Sequence, residues 1–132
     1  MNSIMCLALT LYFESRGEPW LGQIAVAQVV LNRVESSLFP DNVCDVVYEG
    51  GEARYKCQFT WYCDGKSDEP RDEKSWVVSL SLASLSYIFP DFTAGSLWYH
   101  ADYVNPTWAS NNYLQVGAHK FYGDINAVQE KR

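Results

Sequence analysis

The sequence of 132 residues predicts an α+β domain: a mainly helical core with a small, loop-rich β portion. Three observations lead there. Residues Ile4 to Phe13 are apolar nearly all round. Apolar residues recur at Ile24, Ala27, Leu31 and Val34, the spacing of a packed helix face. After Pro90 the texture changes, and aromatic residues alternate with polar ones.

Element by element, Asn2 or Ser3 caps a first helix running to about Glu14, and its apolar run marks a helix buried through the middle of the fold. Gly17 can end it, and Pro19 suits the first turn of a second helix over about 20–36. Phe39-Pro40 breaks the chain before a short helix, Asp41 to Tyr48, and Gly50-Gly51 opens a turn region. Gln58 to Cys63, aromatic-rich and bounded by Asp64-Gly65, reads as a strand ending in a turn. Asp72 or Ser75 starts a third long helix through Ile88, with Trp76, Leu80, Ala83 and Tyr87 on one face. Leu97 to Tyr103 and Leu114 to Tyr122 read as extended, with Asn105-Pro106 turning between them. With no internal repeat, low-complexity tract or linker, residues 1–132 read as one domain, expected to be a monomer.

Composition sets the exclusions. At 48% hydrophobic and 20% charged, the chain is an ordinary folding sequence. The longest membrane candidate, Trp76 to Phe89, holds four serines and is shorter than the roughly 20 residues a spanning helix needs. A net charge of −6 and a pI near 4.7 argue against a nucleic-acid partner, whose phosphates demand clustered Lys and Arg. The entire −6 lies in residues 35–73. That region reads as solvated loop, and Asp64, Asp68, Glu69, Asp72 and Glu73 lack calcium-loop spacing, so neither metal nor cofactor is expected. Cys6, Cys44, Cys57 and Cys63 form no CxxC, and His100 and His119 are far apart in sequence, which disfavours zinc. Disulfides in an extracytoplasmic compartment fit better, with three connectivities open. The opening MNSIMCLALTLYF has no basic stretch and no small-residue cleavage site, so it reads as a helix and not as a leader.

The segment Tyr12-Phe13-Glu14-Ser15-Arg16-Gly17-Glu18-Pro19 carries the strongest chemical signal. Glu14 closes an apolar helix, where burial beside aromatic residues and the negative end of the helix dipole both raise a carboxyl pKa. Arg16 or Arg33, if close, would oppose that shift. A carboxylic acid still protonated near neutrality can donate to a leaving oxygen, as glycosidic cleavage requires. The alternative is a frayed helix end pointing at water. Twenty residues are aromatic, seven of them between Trp98 and Tyr122. Tyr and Trp rings stack on sugar faces while their polar tips reach hydroxyls, although many must serve as core. An open strand face carrying Gln58, Thr60, Tyr99 or His100 would suit an amide-bearing sugar, with Tyr122 as a further wall of the cleft. Each histidine alone is a weak signal.

Six stretches in order, CLALTLYFESRGEP, GQIAVAQVVLNRV, FPDNVCDVVYEGG, CQFTWYCDG, LWYHADYVNPTWA and VGAHKFYG, cover nearly the whole chain. Together they resemble the cell wall hydrolase family of the spore cortex-lytic enzyme (SleB type). Ser15 stands where many relatives carry Ala. The resemblance implies a lysozyme-like fold, bacterial peptidoglycan glycan strands as the partner, and Glu14 as the catalytic acid. Ordinary glycoside hydrolases use two carboxylates. Glu18, the only one near in sequence, reads as part of the turn, pairing with Arg16 or Arg33 or capping the second helix, so that Glu18 and Arg16 support the site. A single acid favours lytic transglycosylation, in which the C6 hydroxyl of the same muramic acid sugar attacks C1. The resemblance favours that outcome as well. Hydrolysis of the same bond by a muramidase, and a non-catalytic glycan-binding module, are the alternatives. Amide hydrolysis of the stem peptide would want a zinc site or a Cys-His pair, which the spacing disfavours.

Overall fold

Helix α1 (Ser3–Ser15) passes through the middle of the molecule, with every residue from Cys6 to Tyr12 buried. The computed structural model describes residues 2–49 and 59–123. Asn2 starts α1 by accepting the Met5 N–H at 2.8 Å. Around α1 pack α2 (Trp20–Glu35), α3 (Val43–Val47) and α4 (Glu73–Ser86). The core is Leu7 and Leu11 of α1, Ile24, Val26, Val29 and Val30 of α2, Val46 and Val47 of α3, and Leu82 and Ala83 of α4. A disulfide between Cys6 and Cys44 ties α1 to α3. Cys63 is also disulfide-bonded, and Cys57 lies outside the described residues.

Three short strands complete the fold: β1 (Trp98–Ala101), β2 (Leu114–Val116) and β3 (His119–Tyr122), all antiparallel, in the order β1-β3-β2. Phe121, fully buried, anchors the sheet to the helical core. Gln28 and Asn32 of α2 hold the connection after α4 through bonds to Pro90 O at 2.9 Å and Ser96 O at 3.0 Å. This helical core with its small β portion is the α+β architecture that the sequence predicts.

Three details differ from expectation. Thr60–Cys63 is a 3₁₀ turn and not a strand. Phe59 and Trp61, two residues apart, are both buried, with Trp61 stacked on Phe13 at 5.0 Å. A period of two therefore arises without sheet pairing. Leu114 to Tyr122 is not one extended run but a hairpin, turning at Gly117 with φ +57°. The buried stripe of α4 is Ser79, Leu82, Ala83 and Ser86, while Tyr87 is exposed. Small residues face inward because α4 packs closely along α1, an approach bulky side chains would block. Among the described residues no helix is long and apolar enough to cross a membrane, and no cluster of His, Cys, Asp and Glu is arranged to hold a metal ion.

Candidate active site

Glu14 sits one residue before the end of α1, where the buried helix surfaces into a cleft of about 680 Å³. The helix packs on several sides, so it fixes where this carboxyl stands. Phe13, Arg33 and Phe59 form one wall, and β1 with His119 forms another. The outer wall is Tyr103, Val104 and Trp108, from the largely exposed stretch between Asp102 and Tyr113.

Tyr99 donates a short hydrogen bond to Glu14 Oε1. Burial raises the Glu14 carboxyl above its ordinary value. The Tyr99 bond, then the charges of His119 and Arg33, pull it down without cancelling the burial. Burial, and next the adjoining Glu14, push the Tyr99 phenol well up, so it stays protonated and remains a donor. Arg33 is 3% exposed, donates from Nε to Leu97 O at 2.8 Å, and lies over the Phe39 ring at 4.7 Å. One arginine thus joins α2 to the start of β1 and places a cation beside the cleft.

Glu18 organises the opposite corner. Its Oε1 accepts the Ala118 N–H at 2.8 Å and lies 3.2 Å from His119 Nδ1. Its main-chain oxygen accepts from Gln23 Nε2 at 3.1 Å. Glu18 therefore serves the β2–β3 turn: its carboxylate meets neither Arg16 nor Arg33, and α2 begins after Pro19 with no side-chain cap, so neither role suggested by the sequence is the one it takes. The reason lies in the register: the hairpin brings the Ala118 N–H and His119 to the start of α2. His119 in turn meets the Tyr99 ring edge-on at 5.3 Å. A continuous line of contacts runs from Glu18 through His119 and Tyr99 to Glu14.

The other expected residues fall as follows. Arg16 lies over the Tyr12 ring at 4.4 Å, away from the cleft lining. Gln58 lies outside the described residues, and Thr60 opens the 3₁₀ turn. Tyr99 and His100 do not share one strand face. Consecutive residues of the edge strand β1, they point to opposite sides, yet both line the cleft. His100 Nε2 lies 2.8 Å from Tyr122 Oη, and the two rings stack. Tyr122 is not a wall of the Glu14 cleft. It lines an adjoining pocket of about 450 Å³ with His100, Tyr103 and Lys120. Arg33, expected to oppose the Glu14 shift if close, does line the cleft and lowers that pKa, whereas Arg16 does not line it. His119 is a cleft residue that sequence reasoning did not choose, and only the hairpin register would have pointed to it.

The profile of the Cell Wall Hydrolase family matches residues 17–122, beginning just after Glu14. A spore cortex-lytic enzyme from Oceanobacillus iheyensis is 37% identical over 128 residues, covering 91% of this chain and 41% of that protein. One from Bacillus subtilis (strain 168) is 34% identical over 128 residues, 91% of this chain and 37% of that protein. The chain thus spans less than half the length of the curated relatives it matches. Among solved structures, the catalytic domain of the germination-specific lytic transglycosylase SleB from Bacillus anthracis superposes with a TM-score of 0.72 and 34% identity, covering 92% of this chain and 93% of that one. The catalytic domain of the Bacillus cereus SleB protein gives 0.64 and 32%, over 91% and 88%. The fold is therefore of the lysozyme-like type found in those catalytic domains. The chain belongs to the cell wall hydrolase family.

Proposed function

We propose that this protein is a lytic transglycosylase that cleaves the β-1,4 bond between N-acetylmuramic acid and N-acetylglucosamine in bacterial peptidoglycan. The observation that carries the reading is the half-buried, pKa-raised Glu14 held by Tyr99 in the lining of a cleft. Among the described residues lining that cleft, Glu14 is the one carboxylate. Support also comes from the lytic transglycosylase SleB of Bacillus anthracis, whose catalytic domain has this fold.

Tyr99 occupies Oε1, which leaves Oε2 to carry the acidic proton. Glu14 protonates the glycosidic oxygen as the bond to C1 breaks. The carboxylate left behind takes the proton of the C6 hydroxyl on the same sugar. That oxygen attacks C1 and closes a 1,6-anhydro ring. Proton and bonds balance without water, and the nucleophile is already tethered, which removes much of the entropic cost. His119 and Arg33 stabilise the carboxylate during its moment of charge. Tyr99 and His100 border the cleft as substrate contacts, Thr60 lies on the turn beside its Phe59 wall, and Glu18 supports the site through His119. The place of action is the cell wall, outside the cytoplasmic membrane.

Mass spectrometry of muropeptides released from purified sacculi tests the reaction. Anhydro products, lighter by one water than hydrolysed ends, are expected. Hydrated ends alone would make the enzyme a muramidase. Glu14→Gln is expected to lower turnover about 10²–10⁴-fold while binding persists. Cleavage at the parental rate would remove Glu14 from the mechanism.

A further inference from the structure

Strand β1 has β3 on one side, and among the described residues no strand on the other. The Asp102 N–H donates to Ala118 O at 2.8 Å, and the antiparallel register pairs His100 with Lys120 and Trp98 with Tyr122. Main-chain groups alternate sides along a strand. Those of residues 98, 100 and 102 therefore turn toward β3, and those of Tyr99 and Ala101 turn outward. Two outward acceptors nearby are already used: Ala101 O takes the Val104 N–H at 3.0 Å, and Leu97 O takes Arg33 Nε at 2.8 Å. Between these two closures, the N–H and C=O of Tyr99 have no partner among the described residues, on a strand edge whose residues line the cleft that holds Glu14. An unpaired donor and acceptor on a strand edge form a template that a ligand can complete, and leaving them unmet in a half-enclosed cleft is costly.

We propose that the main chain of Tyr99 is a docking point for a secondary amide of the substrate. This rests on the glycan-cleaving reading above and specifies how the cleft registers its substrate. The donor and acceptor are held side by side at fixed spacing, and an amide offers the complementary acceptor and donor. Two sources carry that chemistry. An acetamido group on an amino sugar, whose N–H and C=O point in opposite directions, takes one of the two positions. An extended aminoacyl residue of the stem peptide takes both, as in strand addition. Either way the contact lies on the residue whose side chain holds Glu14, so substrate register and acid orientation share one anchor.

The test is amide NMR of ¹⁵N-labelled Glu14→Gln, in which ligand persists uncleaved. Three ligands are titrated: a peptide-free N-acetylglucosamine oligosaccharide, its N-deacetylated counterpart, and a peptide-bearing disaccharide from peptidoglycan. The Tyr99 amide proton is expected to move downfield, with the largest shift among cleft amides, and not with the deacetylated sugar. A shift with both acetylated ligands assigns the sugar acetamide. A shift only with the peptide-bearing one assigns the stem peptide. If Phe13, Arg33 and Val104 amides move while Tyr99 stays, or if the deacetylated sugar moves Tyr99 equally, the docking point is wrong although the cleft still binds glycan. If no cleft amide moves with any ligand, the glycan reading fails with it.

Discussion

The carboxylate of Glu18 fills the space that a side chain at Gly117 would need: a Cβ built there would stand 2.6 Å from Glu18 Oε1. Gly117 also has φ +57°, in the left-handed region that only glycine enters freely. Chain conformation and carboxylate seat thus depend on the same missing atom.

Gly117→Ala is expected to destabilise the protein by more than the roughly 1–2 kcal/mol that the backbone conformation alone costs. It should also lower activity, because Glu18 must leave the Ala118 N–H and His119. Gly95→Ala is the control: φ is +73° there and nothing lies within 4 Å of the added carbon. Chemical denaturation and turnover measured on both variants separate the two effects. Equal losses would mean that the Glu18 seat contributes nothing.

Glu14 titrates near 4.5 when unfolded and higher in the fold, chiefly through burial. The folded state therefore binds this proton more tightly. Its contribution to stability is complete below pH 4.5 and is lost as pH rises through the folded value, above which a charged carboxylate is held in a poorly solvated place. Glu14→Gln, uncharged throughout, should melt at a higher temperature than the parent at neutral pH. The advantage should vanish near about pH 4. Melting curves across pH decide this, and a variant less stable at pH 7 would contradict it.

The bond from Tyr99 lowers the Glu14 pKa against the larger effect of burial. Tyr99→Phe removes it, so the alkaline limb of kcat/KM, where Glu14 loses its proton, should move to higher pH. Loss of the orienting donor should reduce kcat roughly tenfold. A pH–rate profile with an unmoved limb would exclude the coupling.

Cys6 and Cys44 close a loop with a sequence separation of 38 between α1 and α3. Replacing both with Ala should cost about 3–4 kcal/mol. Because Cys6 is buried at the start of α1, far along the helix from Glu14, kcat at low temperature should be retained. Urea unfolding together with an activity assay checks both parts.

The helical half of the molecule was readable because its signals are local. Asn2 and Asp72 cap where expected, and the unbroken apolar run of α1 gave both its burial and the position of Glu14 at its exit. The β half was less so, because its pairing is set by register. Gly117 and Ala118 carry no strong hairpin signature, so the turn that brings His119 beside Glu18 and Tyr99 is invisible in a linear reading. Phe59 and Trp61 misled for a related reason: two buried aromatics two apart suggest a strand whether or not any partner strand exists. Arg33 was legible as a charge for Glu18 or against the Glu14 shift, and the second expectation holds. Its bond to Leu97 O joins residues 64 apart in sequence, and its seat over Phe39 depends on how the chain turns after α2.

The exposed stretch from Asp102 to Tyr113 walls the cleft while contributing none of the buried core, whereas Glu14 rides on the most enclosed helix. On the proposed reaction, the proton donor and this part of the cleft lining belong to different elements. Exchange of that stretch would then alter the cleft lining while the helix that carries the acid stays in place, a fixed engine with an interchangeable gauge.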